Sequence, residues 1–273
     1  MTSTTSEATS RAGKVRHERR WEVSQPRAAM LVVHGVAEHI ARYEHVGSFF
    51  ADRGVDVLGF DLRGHGRSGG KRGYIDAWSD FLDDVEDLLA QRRTLGVPVV
   101  LYGHSMGGLI ATTYAESDRP QPDLLVLSAP ALEANLPGWQ RALSPIMSKV
   151  LPAVSLPNDL DGDLLSRDAT VGQVYESDPL RVTTGTARLG YEAMKAMDGA
   201  RANLEKITIP TYVLHGSDDR LVPVTASEGF EHLANATRRV WGGLRHECHN
   251  EPEQLEVLGE VATWLDEQLA AIG

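Results

Sequence analysis

The chain has one cysteine, Cys248, in 273 residues, so no intrachain disulfide can form and the core must hold by packing alone. Basic residues are few. The 27 Lys and Arg against 38 Asp and Glu leave a net charge of −11, which argues against a surface built to neutralise a phosphate backbone, and no nucleic-acid partner is expected. No apolar run approaches the roughly 18 residues that a membrane-spanning helix needs. Met1 to Ala12 is rich in Ser and Thr and has no apolar stretch, so it lacks the core of a secretory signal and reads as a disordered tail over 1–12. The lone cysteine fits a reducing cytoplasm, which is the expected compartment. What remains is 42% apolar and 24% charged, a globular balance in a chain long enough for one α/β domain with an insertion.

The rest of the chain is organised around Gly103-His104-Ser105-Met106-Gly107. Val99 to Tyr102 before it reads as a buried strand and Leu109 to Glu116 after it as a buried helix, the context of a nucleophile elbow. A serine on so sharp a turn needs little bulk two positions to either side, because a Cβ at 103 or 107 would meet neighbouring backbone; Gly108 extends the open space. The five-residue pattern alone would arise by chance in roughly one chain in ten of this length, so its flanks and partners must carry the argument.

Arg27 to Val33 is the first buried strand and runs into the loop His34 to His39; Val15 to Val23 before it is polar and alternating, like a pair of short edge strands. Tyr43 to Arg53 has helical spacing and Val55 to Phe60 is a strand. The glycine-rich Asp61 to Gly70 has no Gly-Lys-Ser/Thr ending and no helix directly behind it, so it is a structured loop beside the site and not a phosphate cradle. Trp78 to Arg93 is an amphipathic helix, and Asp123 to Ser128 is a strand. The strand–helix rhythm then breaks, and 131–205 reads as a helical cap insertion between core segments 13–130 and 206–273. Leu136, Trp139, Leu143, Ile146, Met147, Val150 and Leu151 recur at helical spacing there, and Pro145, Pro152 and Pro157 keep its segments short. Ile209 to Gly216 and Arg238 to Trp241 restore strands, and a final helix packs through Leu255, Leu258, Val261, Ala262, Leu265 and Leu269.

A neutral serine needs a base within hydrogen-bond reach, and the base needs an acid to fix its tautomer. Among His34, His104, His246 and His249, His246 is placed best, in the loop between the last strand and the last helix. The acid is Asp219, with its neighbour Asp218 as the alternative. Ser, then Asp, then His, each in a loop after a strand, is the order of the α/β-hydrolase fold, a mostly parallel sheet flanked by helices. That fold puts its oxyanion donors at the backbone N–H after the nucleophile and at the loop after a central strand, here Met106 and Val36.

Several stretches together resemble the monoacylglycerol lipases (monoglyceride lipases) of the α/β-hydrolase superfamily, from about residue 28 to the end. They are His34-Gly35-x-x-Glu38-His39-x-x-Arg42-Tyr43, Asp61-x-Arg63-Gly64-His65-Gly66-x-Ser68-x-Gly70, the elbow, Leu127-Ser128-Ala129-Pro130, His215-Gly216-x-x-Asp219 and His246-x-x-His249. The family pattern puts the acid immediately before a basic residue, which selects Asp219 before Arg220. The resemblance implies hydrolysis of a monoacylglycerol ester through an acyl-enzyme on Ser105, without metal or cofactor. It implies a cap over an apolar acyl tunnel, and a small polar pocket for glycerol to which Glu38, Arg42 and His249 contribute. The family usually has glycine where Ala37 stands, an alanine the loop accommodates if its φ is negative. The expected partner is a small lipid, with transient contact of the cap at lipid aggregates or a membrane surface. A lysophospholipase or a short- to medium-chain carboxylesterase shares this machinery, as does a C–C hydrolase. A non-catalytic binding protein of this fold usually lacks a triad member, and a haloalkane dehalogenase needs an Asp where Ser105 stands. Cys248, two residues from the base, suggests an activity sensitive to thiol reagents.

Overall fold

The computed structural model describes residues 1–134, 138–157 and 160–272. Its sheet is built from β1 (Thr4–Thr9), β2 (Val15–Trp21), β3 (Ala28–Val33), β4 (Val55–Phe60), β5 (Val99–His104), β6 (Leu124–Ser128), β9 (Thr211–Gly216) and β10 (Ala236–Trp241). The spatial order is β1-β2-β4-β3-β5-β6-β9-β10, with β1 and β2 antiparallel to their neighbours and the other pairings parallel. Both faces are covered, which is why β3, β4 and β5 are buried at every residue and read as near-continuous apolar runs.

One face packs on α2 (Ser79–Arg93) and α3 (Met106–Ala115) through a core that includes Leu31, Phe60, Phe81, Leu101 and Ile110. The other packs on α1 (Glu44–Ala51) and α7 (Gln254–Ile272) through Val32, Phe50, Tyr102, Val261 and Leu265. Leu255, expected to face this core, is 70% exposed, and the buried face of α7 begins at Val257 and Leu258.

Two expectations at the N-terminus are corrected. Residues 4–9 are not a disordered tail: they pair antiparallel with β2, Thr4 opposite Arg20 through Thr9 opposite Val15. Nor is 15–23 a pair of strands; β2 is one strand, held between β1 and β4. Besides the burial of Trp21 in the core, backbone pairing and ion pairs keep these elements in place: Arg19 and Ser3 both bond Glu44, and Arg20 and Arg92 converge on the fully buried Asp56.

Between β6 and β9 lie α4 (Gly138–Val150), β7 (Ser155–Pro157), α5 (Ala169–Ser177), β8 (Thr184–Thr186) and α6 (Ala187–Asn203). Here the only strands among the described residues are the short antiparallel pair β7 and β8. Helix α4 runs through Pro145 instead of stopping at it. Of the apolar stripe, Leu136 and the Trp139 side chain lie outside the described residues, while Leu143, Ile146, Val150 and Leu151 are between 48% and 68% exposed. The segment is tied to the core by Thr186, whose N–H and Oγ1 both donate to the Gly73 carbonyl, and by Asp178, whose Oδ2 lies 2.7 Å from His39 Nε2.

Candidate active site

Ser105 sits between β5 and α3 with φ 52° and ψ −117°, a left-handed conformation that an L residue holds only where its surroundings force it. They do so here by close packing. A Cβ at 103 would overlap the Gly107 carbonyl, one at 107 the Val33 carbonyl, and one at 108 the Pro130 backbone, so the turn can close this tightly only with glycine at all three positions.

His246 Nε2 lies 2.9 Å from Ser105 Oγ and His246 Nδ1 lies 2.7 Å from Asp219 Oδ2. All three residues are at most 7% exposed. Asp219 Oδ1 accepts from the Leu221 and Val222 N–H groups, each at 2.9 Å, and its Oδ2 is also 3.1 Å from His215 Nε2. Burial alone would raise the Asp219 carboxyl, but the charge of His246 and these hydrogen bonds outweigh it and hold the group well below the usual carboxylate range. Burial likewise opposes the charged form of His246, and Asp219 outweighs it, so the imidazole is more basic than a free one. Asp218, the alternative acid, points elsewhere: Ser217 Oγ donates to its Oδ1.

The loop carrying Val36 is braced from several sides. Glu38 Oε1 accepts from the Gly35 N–H at 2.5 Å and from Tyr43 Oη at 2.7 Å. His34 Nε2 accepts from the Leu62 N–H at 2.9 Å, and Asp61 accepts from the Ile40 and Arg67 N–H groups. The glycine-rich 61–70 loop is thus a buttress. Ala37 has φ +64°, contrary to the expectation of a negative φ, and its methyl is fully buried against Leu165 and Tyr175. Met106 is the first residue of α3, so its N–H has no carbonyl four residues back within the helix to bond.

Two cavities meet at Ser105. The larger, about 390 Å³, is mostly apolar and is lined by Val36, Met106 and Val222 of the core and by Leu160, Leu189 and Met197 of the 131–205 segment. The smaller, about 20 Å³, has room for one water-sized group and is lined by Glu38, Arg42, Glu247 and Tyr175 besides Ser105 and His246. Arg42 makes a bidentate bond to Glu247, at 2.5 and 2.7 Å, and a third bond to Glu38 Oε2 at 2.8 Å. Burial would raise the Glu247 carboxyl, but Arg42 outweighs it and brings it down to about 2; at Glu38 burial, joined by the charge of Glu247, outweighs Arg42 and raises the carboxyl.

Of the residues expected at the polar pocket, Glu38 and Arg42 line it and His249 does not. His249 is fully buried behind it, stacked on Tyr43 with ring centroids 5.1 Å apart and edge-on to His104 at 4.8 Å. Packing on these rings turns it away from the cleft. Glu247 was not singled out from the sequence; its place immediately after His246 was the available signal. Cys248 is fully buried in the core and burial pushes its thiol up, so the structure removes the ground for thiol sensitivity.

The Hydrolase_4 family model, described as Serine aminopeptidase, S33, matches residues 24–253. The chain belongs to this family. A monoacylglycerol lipase of Mycolicibacterium smegmatis is 36% identical over 253 residues, covering 89% of each chain. The phospholipase YtpA of Bacillus subtilis is 30% identical, covering 91% of this chain and 99% of its own. The solved structure of a Paleococcus ferrophilus monoacylglycerol lipase superposes with a TM-score of 0.84 at 30% identity, over 91% of this chain and 98% of that one. The fold of this Hydrolase_4 member is that of the α/β-hydrolases, and among its described residues no helix is long and apolar enough to cross a membrane.

Proposed function

We propose that the protein is a serine carboxylic-ester hydrolase that cleaves monoacylglycerols to a fatty acid and glycerol, with Ser105 as nucleophile, His246 as base and Asp219 as its orienting acid. The observation that carries this reading is the apolar cavity of about 390 Å³ that opens at Ser105, a site for an acyl chain beside the nucleophile, with the charged side chains of Glu38, Arg42 and Glu247 gathered at a small cavity on its other side. The monoacylglycerol lipases among its relatives point the same way.

In this mechanism the Ser105 hydroxyl donates its proton to His246 Nε2 as Oγ bonds the ester carbonyl carbon. The N–H groups of Val36 and Met106 receive the oxyanion, and losing one such donor costs about 2.7–4 kcal/mol of transition-state stabilisation. His246 returns the proton to the departing glycerol oxygen. Water, deprotonated by the same imidazole, then attacks the acyl-enzyme, and His246 returns that proton to Ser105 Oγ as the bond to the acyl carbon breaks and the fatty acid leaves. The 131–205 segment acts as the cap over the acyl cavity. Its exposed residues Leu143, Ile146 and Val150 touch lipid aggregates or a membrane surface transiently from the cytoplasm. Ile146→Glu should then depress hydrolysis of micellar substrate and spare a monomeric one.

A phospholipase relative makes cleavage of lysophospholipids the second reading. The test is a series of monoacylglycerols, matched di- and triacylglycerols, lysophospholipids and short p-nitrophenyl esters, with Ser105→Ala alongside. Monoacylglycerols should dominate and Ser105→Ala should be inactive. Turnover of the short esters alone would contradict the glycerol assignment.

A further inference from the structure

The cavity beside Ser105 is lined by a guanidinium that two carboxylates already engage. Arginine is the side chain best shaped to hold a phosphate, through two parallel N–H bonds, and one placed beside the glycerol end of an ester would favour glycerophosphate substrates. In this chain the fork is already filled. Two Arg42 nitrogens bond the two oxygens of Glu247 at 2.5 and 2.7 Å, Glu38 takes a third bond, and the Tyr175 ring lies 5.2 Å from the guanidinium carbon.

Glu247 is itself held in place. It is 2% exposed, its Oε2 accepts from Asn250 Nδ2 at 2.7 Å, and its N–H donates to the Leu165 carbonyl at 2.8 Å. With Glu38 ionised the three groups carry one negative charge, and with Glu38 protonated they are neutral. In neither state does Arg42 present an uncompensated charge to the cleft, and bringing a phosphate there would set two anions together in a buried site.

We propose that Glu247 is a specificity-determining residue: by occupying the Arg42 fork it restricts the polar subsite to uncharged polyol headgroups and excludes esters of glycerol phosphate. This rests on the reading of the site as a monoacylglycerol hydrolase.

The experiment compares 1-lauroylglycerol with 1-lauroylglycerol 3-phosphate at matched mole fraction in a neutral detergent, for the wild type, Glu247→Gln and Glu247→Ala. The wild type should prefer the neutral ester by about a hundred-fold or more in kcat/KM. Glu247→Gln keeps the volume and removes the charge, and should narrow that preference about tenfold, mainly through a lower KM for the phosphate ester. A general loss of structure would depress both substrates and leave the ratio alone. A wild type that takes both esters equally, or a folded Glu247→Gln with the wild-type ratio, overturns the proposal. If Glu247→Gln does not fold, Glu247→Ala and the wild-type ratio carry the test. A gain by Ala and not by a folded Gln would assign the exclusion to size and overturn the role of charge. A wild type active on neither ester defeats the monoacylglycerol reading itself, and the proposal falls with it.

Discussion

The Ala37 carbonyl accepts a hydrogen bond from the Val182 N–H at 3.3 Å, so the loop beside Ser105 and the insertion above it share a backbone bond at a residue with φ +64°. Holding an L residue there costs about 1–2 kcal/mol. Against this, the buried methyl returns about 0.8 kcal/mol, and alanine gains about 0.4–1 kcal/mol over glycine from the stiffer unfolded chain. These terms nearly cancel, which explains how alanine stands in a position that favours glycine. Ala37→Gly should shift stability by less than about 1 kcal/mol, read as the midpoint of urea unfolding. Ala37→Val, a branched side chain in the same conformation, should cost about 2 kcal/mol or more. A large loss on Ala37→Gly would contradict the balance.

Gly190, inside α6, and Gly185, in β8, both line the apolar cavity, and at neither would a Cβ meet any atom within 4 Å. Nothing in the packing demands glycine, and a helix-interior glycine costs about 0.8–1.0 kcal/mol relative to alanine. Gly190→Leu should therefore raise stability slightly while its side chain fills part of the acyl cavity. With each displaced methylene worth about 0.8 kcal/mol, activity should move from long toward shorter monoacylglycerols. Unchanged chain-length dependence of kcat/KM in a folded Gly190→Leu would place the acyl chain elsewhere.

Four fully buried histidines set the acid limit of stability. Burial lowers His34 to about 4, His65 and His249 to about 3, and His104 well below its usual value. Each binds its proton in the unfolded chain before the folded one, so the stability it contributes is full above about pH 6.5 and is lost as pH falls from there toward 3 or 4. Each contributes a slope of about 1.4 kcal/mol per pH unit in that window. His246, shifted upward, acts on the other side of this window: the stability it contributes is full below about pH 6.5 and is lost only as pH rises above that value. Stability should fall steeply between pH 6.5 and 5, before ordinary carboxylates protonate. A melting temperature flat across that range would be incompatible with neutral buried histidines.

Much of this arrangement is legible in the residues. The apolar runs of β3 to β6 are long because both faces of a parallel sheet are covered, and the glycines at 103, 107 and 108 report the crowding around Ser105. The strand at Thr4–Thr9 is not legible, because an exposed polar strand has no apolar alternation and is specified by its partner β2, not by its own pattern. Glu247 was hidden for a related reason: its partner Arg42 is 205 positions away, and a long-range ion pair leaves no local spacing to read. His249 misled because adjacency to His246 in sequence says nothing about which way a ring faces once Tyr43 and His104 pack against it.

Cys248 gives a simple negative prediction. The thiol is fully buried and held protonated, with its Sγ 3.6 Å from the Arg245 carbonyl. Brief treatment of the native protein with N-ethylmaleimide should leave ester hydrolysis intact. Rapid inactivation of the wild type that Cys248→Ser escapes would show that the loop opens far more readily than its packing implies.

The central claim is that a fatty acyl group passes through Ser105. Rapid quenching of the protein with 1-lauroylglycerol in excess, followed by mass analysis of its peptides, tests this most directly. A lauroyl adduct on the peptide containing Ser105, absent from Ser105→Ala together with all turnover, is the result expected. Turnover that survives in Ser105→Ala, or an adduct on another residue, would contradict the account.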